Sequence, residues 1–101
     1  MKYMILIYAD DAAWEAATPA AREALYDRHR AYIADLAAAG VMRGGSELGL
    51  ARTATTLRMR GGRLVATDGP YAETREQLGG YYLIETADLD QALHWASRCP
   101  N

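Results

Sequence analysis

Three observations in the sequence predict an α+β fold. Tyr3 to Tyr8 and Gly80 to Glu85 are apolar at both even and odd positions, as strands buried on both faces are. Thr55-Thr56-Leu57-Arg58-Met59-Arg60 alternates, Gly61-Gly62 supplies a hairpin turn, and Arg63 to Thr67 returns. A long helical stripe follows Pro19, and a shorter one closes the chain. Strands and helices in this order build an antiparallel or mixed sheet with helices on one face, and the ferredoxin-like plan is the simplest that fits.

Each element has its local reason. Tyr3 to Tyr8 reads as a central strand. After Asp10-Asp11, Ala12 to Ala17 forms a short helix carrying Trp14, and Thr18-Pro19 gives the next helix its N-cap and its first residue. That helix runs from about Pro19 to Ala39 and stops at Gly40, a natural left-handed cap. At ~100° per residue, Ala21, Leu25, His29, Tyr32, Ile33 and Leu36 share one stripe, so His29 points at the sheet. Val41-Met42 starts a strand that meets a bulge or bend at Gly44-Gly45 before Ser46-Glu47-Leu48. The hairpin is wet on one side. Asp88-Leu89-Asp90-Gln91 is a capping box that opens the last helix, which buries Leu89, Ala92, Leu93 and Ala96 and leaves His94 outward.

With 101 residues, half of them hydrophobic, the chain fits one domain spanning 1–101 with a modest core. Its net charge is -2 and its Lys and Arg are scattered among Asp and Glu, so it offers no basic stripe for nucleic acid. Cys99 is the single cysteine, which rules out an internal disulfide and leaves a thiolate metal site without a second soft ligand. A reducing, cytoplasmic location is expected. Lys2 and the apolar run after it have the outline of a very short signal peptide, but Asp10 and Asp11 stand where small neutral residues should mark cleavage, so the run reads as a strand. No apolar run approaches the ~20 residues that span a bilayer, so no membrane partner is expected.

Two main helices can cover only one face of a sheet this size. The other apolar face needs a partner, and a homodimer with sheets packed face to face is expected.

Two places depart from what packing alone would write: His29 within an apolar stripe, and the segment from Thr67 to Gly80. An imidazole under the sheet serves proton transfer if a polar partner or a cavity waits there; burial lowers its pKa and a carboxylate raises it. The alternative is a core histidine satisfied by a backbone carbonyl. Asp68 precedes Gly69-Pro70, which would hold its carboxylate still, although Asp-Gly-Pro is also ordinary turn chemistry. Ser46 and Glu47 could line the same pocket, and Arg75 could bind an anionic substrate, while each taken alone is more often a solvated surface group. Tyr71, Tyr81 and Tyr82 could wall a site or belong to the core. No spacing resembles a metal site, no Ser/His/Asp set is evident, and Gly79-Gly80 lacks the context of a phosphate loop.

Thr67-Asp68-Gly69-Pro70-Tyr71-Ala72-Glu73-Thr74, with Gly79-Gly80-Tyr81-Tyr82-Leu83-Ile84-Glu85, resembles the DGPF branch of the YCII-related proteins. The likeness extends through Tyr3 to Tyr8, the helix with His29, Gly45-Ser46-Glu47-Leu48 and the closing Ala92 to Pro100, with Tyr71 in place of the phenylalanine of the branch's name. It implies a dimeric α/β barrel of ferredoxin-like subunits and a site built around a histidine and an aspartate, which by motif match are His29 and Asp68. It further implies kinship with small lyases and isomerases acting on ring compounds, and genes often found beside those of alternative sigma factors. Chains of this family usually continue past the Cys-Pro pair into a final strand, so a sequence stopping at Asn101 is expected to lack that strand or to close its sheet differently.

The expectation is therefore a small enzyme without a cofactor, in which His29 moves a proton and Asp68 orients or charges it. The reaction would be of the lyase, isomerase or dehydrohalogenase type on a small cyclic or enolic substrate, with Ser46, Glu47, Tyr71 and Arg75 as substrate contacts. The alternative is a non-catalytic ligand-sensing or interaction module, working with a sigma factor, whose pocket binds without reacting. An opening beside His29 favours the first; a tightly filled interior favours the second.

Overall fold

Strand β5 (Gln77–Glu85) lies at the centre of a three-stranded antiparallel sheet, flanked by β1 (Lys2–Ala9) and β2 (Met42–Glu47). These elements come from a computed structural model that describes residues 1–101. Helix α1 (Asp11–Ala16) and helix α2 (Pro19–Ala38) connect β1 to β2. Because β1 and β2 each run antiparallel to β5, they are parallel to one another, and the gap left by the α2 crossover is filled by β5. This is the split β-α-β unit of ferredoxin-like proteins, closed by α3 (Leu89–Ser97), and the α+β class read from the sequence holds.

The helix caps follow the residues that announce them. Thr18 Oγ1 accepts from Ala21 N at 3.1 Å, and Pro19 occupies the first turn of α2, where its missing N–H costs nothing. Helix α1 begins one residue earlier than the sequence suggests because Asp10 is its cap, accepting from Ala12 N at 3.0 Å and Ala13 N at 3.2 Å. Asp88 caps α3 through Gln91 N at 2.9 Å. Gly40 follows α2 with φ 73°, the left-handed conformation that a glycine adopts without strain.

The buried centre consists of Tyr32 and Leu36 from α2, Tyr82 and Ile84 from β5, and Ala92 from α3, with Tyr3, Ile5, Ile7, Val41, Met42, Trp95 and Cys99 packed around it. Tyr32 and Tyr82 meet edge to face at 5.2 Å, and the Tyr32 hydroxyl donates to Trp95 O at 2.6 Å, tying α2 to α3. Both helices thus lie on the sheet face that carries the odd residues of β1.

Three expectations are corrected. Tyr3 to Tyr8 is not a central strand: β1 stands at the edge of the sheet, its odd residues packed and Met4, Leu6 and Tyr8 exposed on the face away from the helices. Leu89 and Leu93 are exposed, because Trp95 and Cys99 rotate the packed side of α3 toward Ala92 and Ala96. The hairpin is exposed on both sides. Its strands β3 (Thr55–Arg60) and β4 (Arg63–Asp68) form a separate two-stranded ribbon, turned at Gly61 and Gly62 with φ 55° and 76°.

The irregularity expected at Gly44-Gly45 is a shift of register between Met42 and Gly44 against β5. A side chain at Gly45 would place its Cβ 2.8 Å from Tyr81 O, so this strand pair approaches closely only because residue 45 has none.

Candidate functional site

Between α2 and the end of the sheet lies an open cavity of about 460 Å³. Trp14, Leu25, Ile33, Met42 and Leu48 give it an apolar wall, and His29, Tyr26, Glu47 and Tyr82 bring polar groups to it. Few polar groups in a mostly apolar hollow of this size are what small-molecule sites share. Helix α2 supplies Tyr26 and His29 three residues apart, hence on one face. The bent β2 supplies Ser46 and Glu47, and β5 supplies Tyr82. Helix α1 frames the mouth: Trp14 meets Tyr26 edge to face at 5.5 Å, and Arg22 Nε donates to Trp14 O at 3.0 Å.

His29 is half-buried, and its Nδ1 lies 2.6 Å from the Tyr82 hydroxyl, the two rings nearly parallel at 24°. Burial first, then the neighbouring Arg28 guanidinium, lowers the His29 pKa, with the Glu47 charge opposing them. The lowering favours the neutral imidazole. Burial above all pushes the Tyr82 phenol up to about 12, so it stays protonated. A phenol both donates and accepts, so Tyr82 holds the ring in place whether Nδ1 is bare or carries a proton. Nε2 makes no hydrogen bond within the chain.

Tyr26 donates to both Glu47 oxygens, at 2.8 and 3.0 Å. That bond is the main reason the Tyr26 phenol is harder to ionise than usual, followed by burial and the Glu47 charge. Arg30 also borders the cavity, but its guanidinium is held by Glu23 and Asp27. No three His, Cys, Asp or Glu side chains converge closely enough to hold a metal ion.

Of the residues singled out by sequence, the structure brings His29, Ser46 and Glu47 to one cavity, with Tyr81 and Tyr82 on its wall. It does not bring Asp68 to His29 within the chain. Asp68 is exposed at the end of β4, paired through its backbone strand with Thr55, and stands outside the cavity because β4 belongs to the ribbon and not to the main sheet. Tyr71 is exposed too, with the Arg58 guanidinium 4.9 Å above its ring. Arg75 donates from Nε to Asp10 Oδ2 at 3.2 Å, so its charge is already matched. That contact, after the backbone N–H of Ala13, helps keep the Asp10 carboxyl below its ordinary pKa.

Tyr26 is not singled out by the sequence, although its place three residues before His29 on α2 puts the two side chains on one face. Tyr82 is at once core and site, a double role that strand patterning does not separate. No helix is long and apolar enough to cross a membrane.

The family model described as the YCII-related domain matches residues 1–101. An uncharacterised protein of Rhizobium meliloti (strain 1021) is 36% identical over 101 residues, covering 100% of this chain and 82% of that relative. The α+β architecture, the matched length and this likeness lead to one assignment: the chain belongs to the YCII-related family.

Proposed function

We propose that this protein catalyses proton transfer on a small cyclic or enolic substrate bound in the cavity beside His29. The observation that carries the reading is an imidazole fixed by Tyr82 at the wall of an open hollow. A positioned base of this kind contributes about 10²–10⁴-fold to a rate. His29 Nε2 takes a proton from carbon or from an enol hydroxyl. In isomerisation the proton returns at another position of the substrate; in elimination the departing group leaves with the bonding electrons and solvent later relieves the imidazolium. The imidazolium keeps its hold on the Tyr82 oxygen through Nδ1–H. Glu47, steadied by Tyr26, and Ser46 contact the substrate.

The lyase and isomerase classes, the DGPF branch and a role for Asp68 belong to this proposal through the segment Thr67 to Thr74. A homodimer belongs to it as well, supported by the exposed apolar residues of β1. Where the pocket only binds, His29→Asn leaves both binding and signal intact. Where it catalyses, His29→Asn abolishes turnover of a compound that still raises the melting temperature of the variant. Full turnover by His29→Asn would end the proposal.

A further inference from the structure

The cavity beside His29 is uneven in charge. Among the side chains that line it, Asp11 and Glu47 are acidic and Arg30 is the one arginine. The Arg30 guanidinium is already matched by both Glu23 and Asp27. Asp11 Oδ2 accepts from Ala51 N at 2.8 Å, which ties α1 to the turn that follows β2. Glu47 forms no ion pair. Its two oxygens share the single proton of the Tyr26 hydroxyl. A carboxylate accepts at about four positions, so most of that capacity is open.

The cations nearby do not reverse this sign. Arg22, at the mouth, donates from Nε to Trp14 O and from Nη2 to Glu15 O, and Arg28 acts on His29 through its charge; neither lines the cavity. Arg75, expected to bind an anionic substrate, is bound to Asp10 and stands outside the hollow. The cavity therefore presents an unmatched carboxylate among mostly apolar walls and offers no free cation.

Resting on the reading of this cavity as the substrate site, we infer that its ligand is a ring compound bearing an N–H or O–H donor and no negative charge, with the donor seated on Glu47. The ring packs against Trp14, Leu25, Ile33 and Met42, and the Tyr26 hydroxyl keeps the Glu47 carboxylate in place. An ammonium gains charge pairing as well as a hydrogen bond, so it is held more tightly than a hydroxyl on the same ring. An enol hydroxyl meets the requirement without a charge. An anion meets repulsion from Glu47 across a space where charges interact more strongly than in bulk water, and no cation replaces the hydration it gives up. Selection here comes from the repulsive group as much as from the attractive one.

The test is an NMR titration of the full chain at one fixed neutral pH with benzylamine, benzyl alcohol, ethylbenzene and benzoate, probes of one ring and like size, read at the His29 ring resonances. Benzylamine should bind most tightly, benzyl alcohol should bind more tightly than ethylbenzene, and benzoate should bind at least about tenfold more weakly than benzylamine. Glu47→Gln keeps the shape of the exposed side chain and removes its charge; with circular dichroism unchanged, the affinities for benzylamine and benzoate should converge. Benzoate binding the wild type as tightly as benzylamine overturns the inference and leaves the cavity a ligand site, as does a Glu47→Gln chain that keeps the wild-type spacing of affinities. No response of the His29 ring to any probe overturns the cavity reading itself, and the inference with it.

Discussion

His29 Nδ1 and the Tyr82 hydroxyl stand 2.6 Å apart, joining the one helix imidazole that faces the sheet to the central strand beneath it. A residue of the core and a residue of the cavity are thereby one unit. Tyr82 is fixed by Tyr32 on one side, and it fixes His29 on the other.

Removing that hydroxyl separates positioning from packing. Tyr82→Phe keeps the ring and should cost on the order of 1 kcal/mol of stability, because the half-buried Nδ1 can turn partly to water. Turnover should fall further than stability does, since the imidazole is no longer held. Denaturant unfolding and initial rates on the same preparation check the two effects.

The pH dependence has a definite sign. Folding lowers the His29 pKa from its ordinary 6.5, so between the folded value and 6.5 the unfolded chain binds more protons. The stability contributed by the neutral ring is complete above pH 6.5 and is lost as pH falls through the folded value. Activity that needs His29 as a base follows the same course, with its acidic limb centred below 6.5. Imidazole NMR of wild type, with rates over the same range, locates both; a midpoint above 6.5 would contradict the burial argument.

Glu47 is the carboxylate whose charge opposes that lowering. Glu47→Gln should therefore lower the His29 pKa further. It should also let Tyr26 ionise at a lower pH than in the wild type, since the charged acceptor of its hydroxyl is gone. Asp68→Asn should leave both titrations where they are in the monomeric chain. NMR titration of the imidazole and the phenolate absorbance of Tyr26 read these out.

Gly45 and Gly44 give a paired test of the sheet. A Cβ at 45 would sit 2.8 Å from Tyr81 O, a backbone atom that cannot swing away, whereas at 44 it meets only Leu83 Cβ at 3.9 Å. Gly45→Ala should destabilise the fold by about 1–3 kcal/mol, and Gly44→Ala should be close to neutral. Urea unfolding of the two variants distinguishes them, and equal losses would remove the close-approach account.

Local signals carried over well into the structure because they depend on neighbours a few residues away. Thr18 and Pro19 start α2, Gly40 follows its end, Asp88 starts α3, and Gly61-Gly62 turns the hairpin, each through bonds or torsions that the adjacent residues alone decide. The stripe of α2 likewise placed His29 toward the sheet, since helical period is a local property. Strand order was not legible in this way. Tyr3 to Tyr8 and Gly80 to Glu85 are equally apolar on both sides, and nothing in such a run states which of the two lies in the middle.

The sequence by itself determined the class of fold, the caps and turns, and an imidazole aimed at the inner face of the sheet. Tertiary structure alone decided that the ring meets Tyr82 and shares its hollow with Glu47 and Tyr26, and that Asp68 stands apart on a ribbon. The physical reason is that helical and strand periods set only the direction in which a side chain points. Which groups arrive within hydrogen-bonding distance depends on the pairing of strands distant in the chain, and that is settled by packing of the whole molecule.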